Sequence, residues 1–291
     1  MSTYNGEKYL SEQIESSLHQ EDVEVQLLVR DDGSTDQTIN ILNAYHKQDK
    51  LTFYQGGNLG PAKSFLHLLK KAPQTDYYAF SDQDDYWLPK KLSAAVNKIK
   101  SYKGPALYYC QTQLTDESLT PIESVIIHPK GTFGEALVYQ FIGGCTMVMN
   151  SALRDIVNKY EPDYLPMHDI WVFNIALAIG ADIIFDPNSY IYYRQHNANA
   201  IGQGYSRWEE WKRRIRRVLF NHEHLRSRVA KELKKGYYSD MPNNNKETLD
   251  LFINAKENFF KRMSLLRDKR FLTANSMTNR LFKLNVLLNT Y

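Results

Sequence analysis

The stretch Val25-Gln26-Leu27-Leu28-Val29-Arg30-Asp31-Asp32-Gly33-Ser34 decides the fold. Its first six residues form a short apolar run bounded by acids, the pattern of a buried strand. Asp31-Asp32-Gly33 then breaks the run. Ser34, with Gln37 three residues on, spells a capping box before Ile39, Leu42 and Tyr45 at helical spacing. The same alternation repeats outward. Residues 51–55 read as a strand, Gly56-Gly57 as a turn, and 62–71 as a helix with Phe65, Leu66 and Leu69 on one face. Residues 77–80 are a third strand that runs into Ser81-Asp82-Gln83-Asp84-Asp85. A helix over 90–100 turns Leu92, Val96 and Ile99 inward. Alternating strands and helices predict an α/β fold, a mostly parallel Rossmann-like sheet covered by helices. Ligands of such sheets bind beyond the carboxyl ends of the strands, where both acidic clusters lie.

Downstream, 145–149 reads as a strand and 169–178 as a helix with Trp171, Ile175 and Ala178 on one side. Residues 183–185 and 190–193 read as short strands, and beyond Gly204 the pattern is helical to the end. The charge divides at the same place. Residues 1–204 carry 16 Lys and Arg against 24 Asp and Glu, a net of −8; residues 205–291 carry 20 against 9, a net of +11. We therefore expect two regions, an acidic domain over 1–204 suited to holding a cation and a basic helical region over 205–291 suited to an anionic surface. The hydrophobic fraction of 43% suffices for a core and argues against disorder. No apolar run is long enough to span a bilayer, and the start does not read as a secretory leader. Two cysteines, Cys110 and Cys145, exclude a disulfide framework and suit a reducing cytoplasm.

Several positions carry chemistry, each with a plainer alternative. Asp82, Asp84 and Asp85 repel one another unless a proton or cation intervenes, and such oxygen ligands suit Mg²⁺ or Mn²⁺ shared with phosphates. The plainer alternative is a solvated loop capping the next helix. Asp31 and Asp32 belong either to an ordinary turn or to a site accepting from a base imide or ribose hydroxyls. Gly57-Asn58-Leu59-Gly60 with Lys63 is either a turn or a phosphate-facing loop. Asp169 is either the N-cap of its helix or a general base. Arg194 and His196 share one strand face, where they meet a diphosphate or metal, or simply end the strand.

Taken in order, Ser2-Thr3-Tyr4-Asn5-Gly6, Val29-Arg30-Asp31-Asp32-Gly33-Ser34-Thr35-Asp36, Asn58-Leu59-Gly60, Asp82-Gln83-Asp84-Asp85, Gly143-Gly144, His168-Asp169 and Tyr193-Arg194-Gln195-His196 resemble inverting glycosyltransferase family 2, with its GT-A fold. The resemblance implies that Thr3 and Tyr4 hold the nucleobase, with Asp31 accepting its imide and Asp32 beside it. It implies that Asn58, Lys63, Gln83 and Arg194 line the nucleotide-sugar, with Asp82 near the ribose. Asp84 and His196 would hold a divalent cation, Mg²⁺ or Mn²⁺. Asp169 would be the catalytic base, and Gly143-Gly144 the acceptor-side loop. The spelling Pro166-Met167-His168-Asp169-Ile170-Trp171 looks most like bacterial rhamnosyltransferases of cell-wall and capsule polysaccharides, which implies dTDP-L-rhamnose as donor and a lipid-linked or polysaccharide acceptor. The alternatives are a UDP-sugar-dependent transferase and a catalytically impaired nucleotide-sugar-binding relative. A sugar-phosphate nucleotidyltransferase is disfavoured, because no Gly-rich basic opening signature is visible.

Family members carry an apolar strand immediately before Ser2-Thr3-Tyr4-Asn5; the sequence here begins at Met1, which suggests a misplaced start or a truncated copy. In the tail, Trp208, Trp211, Ile215, Val218 and Leu219 recur at helical steps with Lys212, Arg213, Arg214, Arg216 and Arg217 between them. Such a helix either packs on the catalytic domain or lies at the inner face of the cell membrane, against anionic lipid. Nucleic-acid binding is not expected, since a basic helix alone supplies no recognition fold.

Overall fold

The computed structural model describes residues 1–122, 131–139, 142–196 and 225–291. The basic helix expected around Trp208–Leu219 lies outside the described residues.

In the front part, β1 (Ser2–Thr3), β2 (Leu28–Asp31) and β3 (Thr52–Gln55) pair in parallel, with Ser2 opposite Arg30 and Arg30 opposite Tyr54. Helices α1 (Leu10–Leu18) and α2 (Thr38–His46) cover this sheet. Leu10, Ile14, Leu27, Val29, Leu42 and Leu51 form the core beneath it. Each such side chain contributes about 1.5–3 kcal/mol on leaving water. Helix α3 (Pro61–Lys71) follows Gly60, whose φ of 75° turns the chain, and Pro61 is pre-set for the first helical position.

The second sheet mixes directions. Its order is β4 (Tyr77–Ala79), β7 (Val148–Asn150), β6 (Ala106–Thr115), β8 (Asp182–Arg194) and β5 (Tyr86–Trp87). Only β6 and β8 run parallel; β7 and β5 pair antiparallel to their neighbours. The parallel order read from the sequence therefore holds for β1–β3 and for β6–β8. A hydrogen bond from Ser2 N to Ser81 O joins the edges of the two sheets. The two short strands expected near 183 and 190 are one long strand, irregular near Cys110 and Gln111 of its partner. The strand expected over 145–149 starts later, because Gly144–Thr146 makes a 3₁₀ turn first.

Helix α4 (Lys91–Ile99) buries Lys91, Ala95 and Ile99, while Val96 stays partly exposed. Helices α5 (Phe133–Val138) and α6 (Ser151–Val157) flank the second sheet. Helix α7 (His168–Ile179) is buried on nearly every side. The reason is that α3, α5 and α8 (Leu225–Tyr237) pack against it, while Asn245 of α9 (Asn243–Asn254) donates to Leu177 O and Ala178 O at its C-terminal end, both at 2.9 Å. Trp171 meets Tyr237 edge-on at 5.9 Å. Two further helices, α10 (Phe259–Arg267) and α11 (Ser276–Leu287), complete the helical layer. Leu107, Met147, Trp171, Leu233, Phe252 and Tyr291 belong to one continuous core, so the described C-terminal helices share their packing with the sheet.

Candidate active site

The site lies along the carboxyl ends of β1, β2 and β4, and its loops are held by buried side-chain bonds. Asp31 is the densest hub. Its Oδ2 accepts from the Gly33 and Ser34 amides at 3.0 and 2.9 Å, and its Oδ1 from the Thr3 and Ser34 hydroxyls at 3.2 and 2.5 Å. These four bonds fill the acceptor capacity of a carboxylate. Asp31 thus shapes its own turn, and a base imide reaching it would displace a hydroxyl. The Ser34–Gln37 capping box does not form, because the Ser34 hydroxyl is consumed by Asp31 and by the Asn5 amide; α2 begins at Thr38 with no side-chain cap. Asp32 works one loop further on. It pairs with the buried Arg30 guanidinium and accepts from the Leu59 and Gly60 amides at 2.9 and 2.8 Å, which fixes the loop carrying Asn58. Arg30 also reaches Gly57 O at 2.8 Å; a Cβ at Gly56 would lie 2.5 Å from this guanidinium. Asn58 and Lys63 are exposed beside that loop and face solvent.

Tyr4 is 48% exposed at the mouth. The Gln83 amide clamps its backbone, Oε1 accepting from Tyr4 N at 2.8 Å and Nε2 donating to Tyr4 O at 3.1 Å. Gln83 therefore ties the nucleotide-side residues to the acidic loop as a mimic of strand pairing.

Within that loop the acids diverge. Asp84 faces outward, with Oδ2 2.9 Å from His196 Nε2. Asp85 faces inward and is almost wholly buried. Asp82 lies between them, its carboxyl pushed up to about 7 by burial and by the carboxylates of Asp84 and Asp169. That mutual repulsion is what a cation relieves, and a carboxylate with an imidazole is an ordinary donor set for Mn²⁺ or a related ion. The residues present thus fit a divalent cation. Among the described residues, the ligand atoms of Asp82, Asp85 and Cys145 also lie within 4.8 Å of one another.

Asp169 reaches the same place from α7. It is not the N-cap; Met167 is, with no side-chain cap, and Asp169 sits inside the first turn. There the helix dipole favours its negative charge. Its Oδ2 accepts from Gly144 N at 3.1 Å and its Oδ1 from Ile170 N at 2.6 Å. Burial raises its pKa, opposed by these amides. His168 beside it is a core group. It stacks on Phe65 with ring centroids 4.0 Å apart, and burial lowers its pKa to about 3. Gly143 precedes the 3₁₀ turn that presents Gly144 to Asp169.

Arg194 is also buried. Its Nε donates to Asp84 O at 2.9 Å, its other nitrogens meet Glu117 O and the Glu12 carboxylate, and it lies 4.4 Å over the Tyr9 ring. It holds the acidic loop from behind. Tyr9, Glu12, Glu117, Lys91 and Cys145 went unremarked as site residues in the sequence. Only the scarcity of cysteine, with Cys145 directly after Gly143-Gly144, was a signal there.

The sequence pattern of Glycosyl transferase family 2 matches residues 1–160. The chain belongs to glycosyltransferase family 2. The dTDP-rhamnosyl transferase RfbG of Shigella flexneri is 28% identical over 237 residues, which cover 73% of this chain and 77% of that relative. The putative teichuronic acid biosynthesis glycosyltransferase TuaG of Bacillus subtilis is 30% identical over 151 residues, or 51% of this chain and 59% of that relative. Among solved structures, S. aureus TarS 1–349 in complex with UDP-GlcNAc superposes with a TM-score of 0.56 at 18% identity, covering 100% of this chain and 91% of that one. This likeness establishes a GT-A fold with a helical C-terminal region.

Proposed function

We propose that the chain transfers L-rhamnose from dTDP-L-rhamnose to a hydroxyl of a lipid-linked or polysaccharide acceptor, with inversion at the anomeric carbon, in bacterial surface polysaccharide synthesis. The observation that carries the reaction type is the convergence of Asp169, from α7, on the acidic loop after β4, so that Asp169 and Asp82 feel each other's charge. The donor assignment is supported by the sequence likeness to RfbG and by the local spelling around His168-Asp169.

In this reading Tyr4 stacks on the base, and Thr3, Asp31 and Asp32 hold the surrounding turns, with Asn58 and Lys63 at the phosphate edge. Asp84 and His196 would hold a divalent ion, which when bound would supply the charge that neutralises the leaving diphosphate. Asp169 accepts the proton of the attacking hydroxyl at its carboxylate. Burial raises its pKa, which makes it a stronger base than a solvated carboxylate, and the Gly144 and Ile170 amides oppose that rise. Gly144 orients the carboxylate towards the acceptor side. No covalent enzyme intermediate is required, because the displacement is in line.

A panel of nucleotide sugars, scored by transfer with and without chelator, tests this. Transfer from dTDP-rhamnose that is lost with chelator and restored by Mn²⁺ supports it. Reaction with UDP-sugars alone removes the rhamnose assignment; that second reading is favoured by the UDP-GlcNAc complex of TarS. Donor binding without transfer under any condition means an impaired relative.

We also place the acceptor side against an anionic membrane. No helix among the described residues is long and apolar enough to cross one. The support for surface contact is exposed apolar side chains, Phe259 and Phe260 on α10 and Leu284 and Leu287 on α11, with exposed Lys261 and Lys283 on the same helices. Sedimentation with anionic liposomes, lost on Phe260→Glu/Leu287→Glu and at high salt, is the expected result. Undiminished sedimentation of that variant removes this surface from the proposal.

A further inference from the structure

Within the acidic loop, a cluster of ligand atoms brings Asp82, Asp85 and Cys145 together. The chain bends at Gln83 and Asp84; Asp84 stays partly exposed, while Asp85 turns into the protein and is 1% exposed. Asp85 Oδ2 has no hydrogen-bond partner among the described residues. An unpaired carboxylate oxygen at that depth costs several kcal/mol unless something meets it. Cys145 Sγ and an oxygen of Asp82 face the same point, all three ligand atoms lying within 4.8 Å of one another. The 3₁₀ turn over Gly144–Thr146 directs the thiol there.

Lys91 supplies an independent observation. It is 1% exposed, its Nζ has no hydrogen-bond partner among the described residues, and it sits 3.6 Å over the Trp87 ring. Burial lowers its pKa to about 8, against the opposing charges of Cys110, Cys145 and Asp85. A buried ammonium with no ligand of its own is costly, and an aromatic face compensates only about 2 kcal/mol. With both carboxylates and a thiolate as ligands, a divalent ion and the Lys91 ammonium together cancel the negative charge.

We propose that Asp82, Asp85 and Cys145 bind a borderline divalent cation of the Zn²⁺ and Co²⁺ class, with Lys91 balancing the charge. Thiolate beside two carboxylates selects such ions over Mg²⁺. Binding releases the Cys145 thiol proton to solvent as the metal–sulfur bond forms. Three protein ligands leave a fourth position for water or for a further loop oxygen. The site pins the loop from within and is independent of whether the chain transfers sugar.

Titration of the reduced, metal-free chain with Co²⁺ tests it. The expected result is a saturable thiolate-to-cobalt charge-transfer band. Cys145→Ser abolishes it, Asp85→Asn weakens Co²⁺ affinity roughly tenfold or more, and Asp84→Asn and Cys110→Ser leave it in place. Circular dichroism of each variant reports folding. If Cys145→Ser fails to fold, the Asp85→Asn and Cys110→Ser arms decide alone. No band in the parent chain, or a band that survives Cys145→Ser or disappears only with Cys110→Ser, overturns the proposal.

Discussion

Gly144 and Asp169 are joined by a 3.1 Å hydrogen bond from the Gly144 amide to Asp169 Oδ2, and a Cβ at Gly144 would stand 2.3 Å from His168 Nε2. The residue that aims the carboxylate is thus itself confined by the neighbouring imidazole. Asp169→Asn removes the proton acceptor and keeps only one of the two amide contacts, because its Nδ2 cannot accept. Transfer should fall by about 10²–10⁴ with donor affinity nearly unchanged, and the lost contact should lower stability by about 1–3 kcal/mol. Initial rates and calorimetric donor binding measure this; retained turnover would reassign the base.

Gly144→Ala meets a neighbour that cannot retreat, because His168 is stacked on Phe65 and edge-on to Phe80 at 4.8 Å. Overpacking of this kind costs about 1–3 kcal/mol. Thermal unfolding should show the loss, and kcat should fall with it as Asp169 is displaced. An unchanged melting temperature would mean that the turn has more room than the structure gives it.

The pH dependence of the metal-free chain follows from Asp82. Its folded pKa, about 7, lies above the ordinary carboxylate value. Its neutral form is therefore the stabilised one. That stability is full below about pH 4, where unfolded Asp also holds its proton, and is lost as pH rises through about 7. Mn²⁺ should raise the melting temperature more above pH 7 than below it, since a protonated Asp82 leaves less repulsion to relieve. Differential scanning calorimetry across that range, with and without Mn²⁺, provides the check. An equal metal effect on both sides would count against the shift.

Arg30 and Asp32 form a buried ion pair that also holds Gly57, Leu59 and Gly60. Arg30→Met strands the Asp32 carboxylate and should cost about 3–5 kcal/mol in urea unfolding. The KM for donor should rise as the 57–60 loop loosens. A loss below about 1 kcal/mol would show that the Leu59 and Gly60 amides suffice to hold Asp32.

Gln83→Ala removes both bonds to the Tyr4 backbone. The base platform should loosen while Asp169 stays in place, so KM for donor should rise more than kcat falls. Steady-state kinetics separate the two, and an effect on kcat alone would place Gln83 at the reaction centre instead.

Much of this arrangement was legible where information is local. The run into Asp31-Asp32, the strand into the acidic loop and the helix bearing Asp169 each followed from hydrophobic period and a break in it. What escaped was set by partners distant in the chain. The Ser34 hydroxyl went to Asp31 and to the Asn5 amide instead of capping α2, and no local rule weighs those competitors. For Arg194 the sequence left a ligand contact and a satisfied strand end both open, because its partner Glu12 is 182 positions away. The second sheet was read as parallel because period-2 patterning fixes faces and not directions.

Helix α7 carries Asp169 at one end and packs against α3, α5 and α8, with Trp171 against Tyr237 of α8. Acceptor-side diversity in such a chain therefore cannot arise by exchanging the tail as a cassette. Any replacement for residues 225–291 must recreate the socket that holds the Asp169 helix, so new specificity has to be written into the loops while the tail is inherited as scaffold.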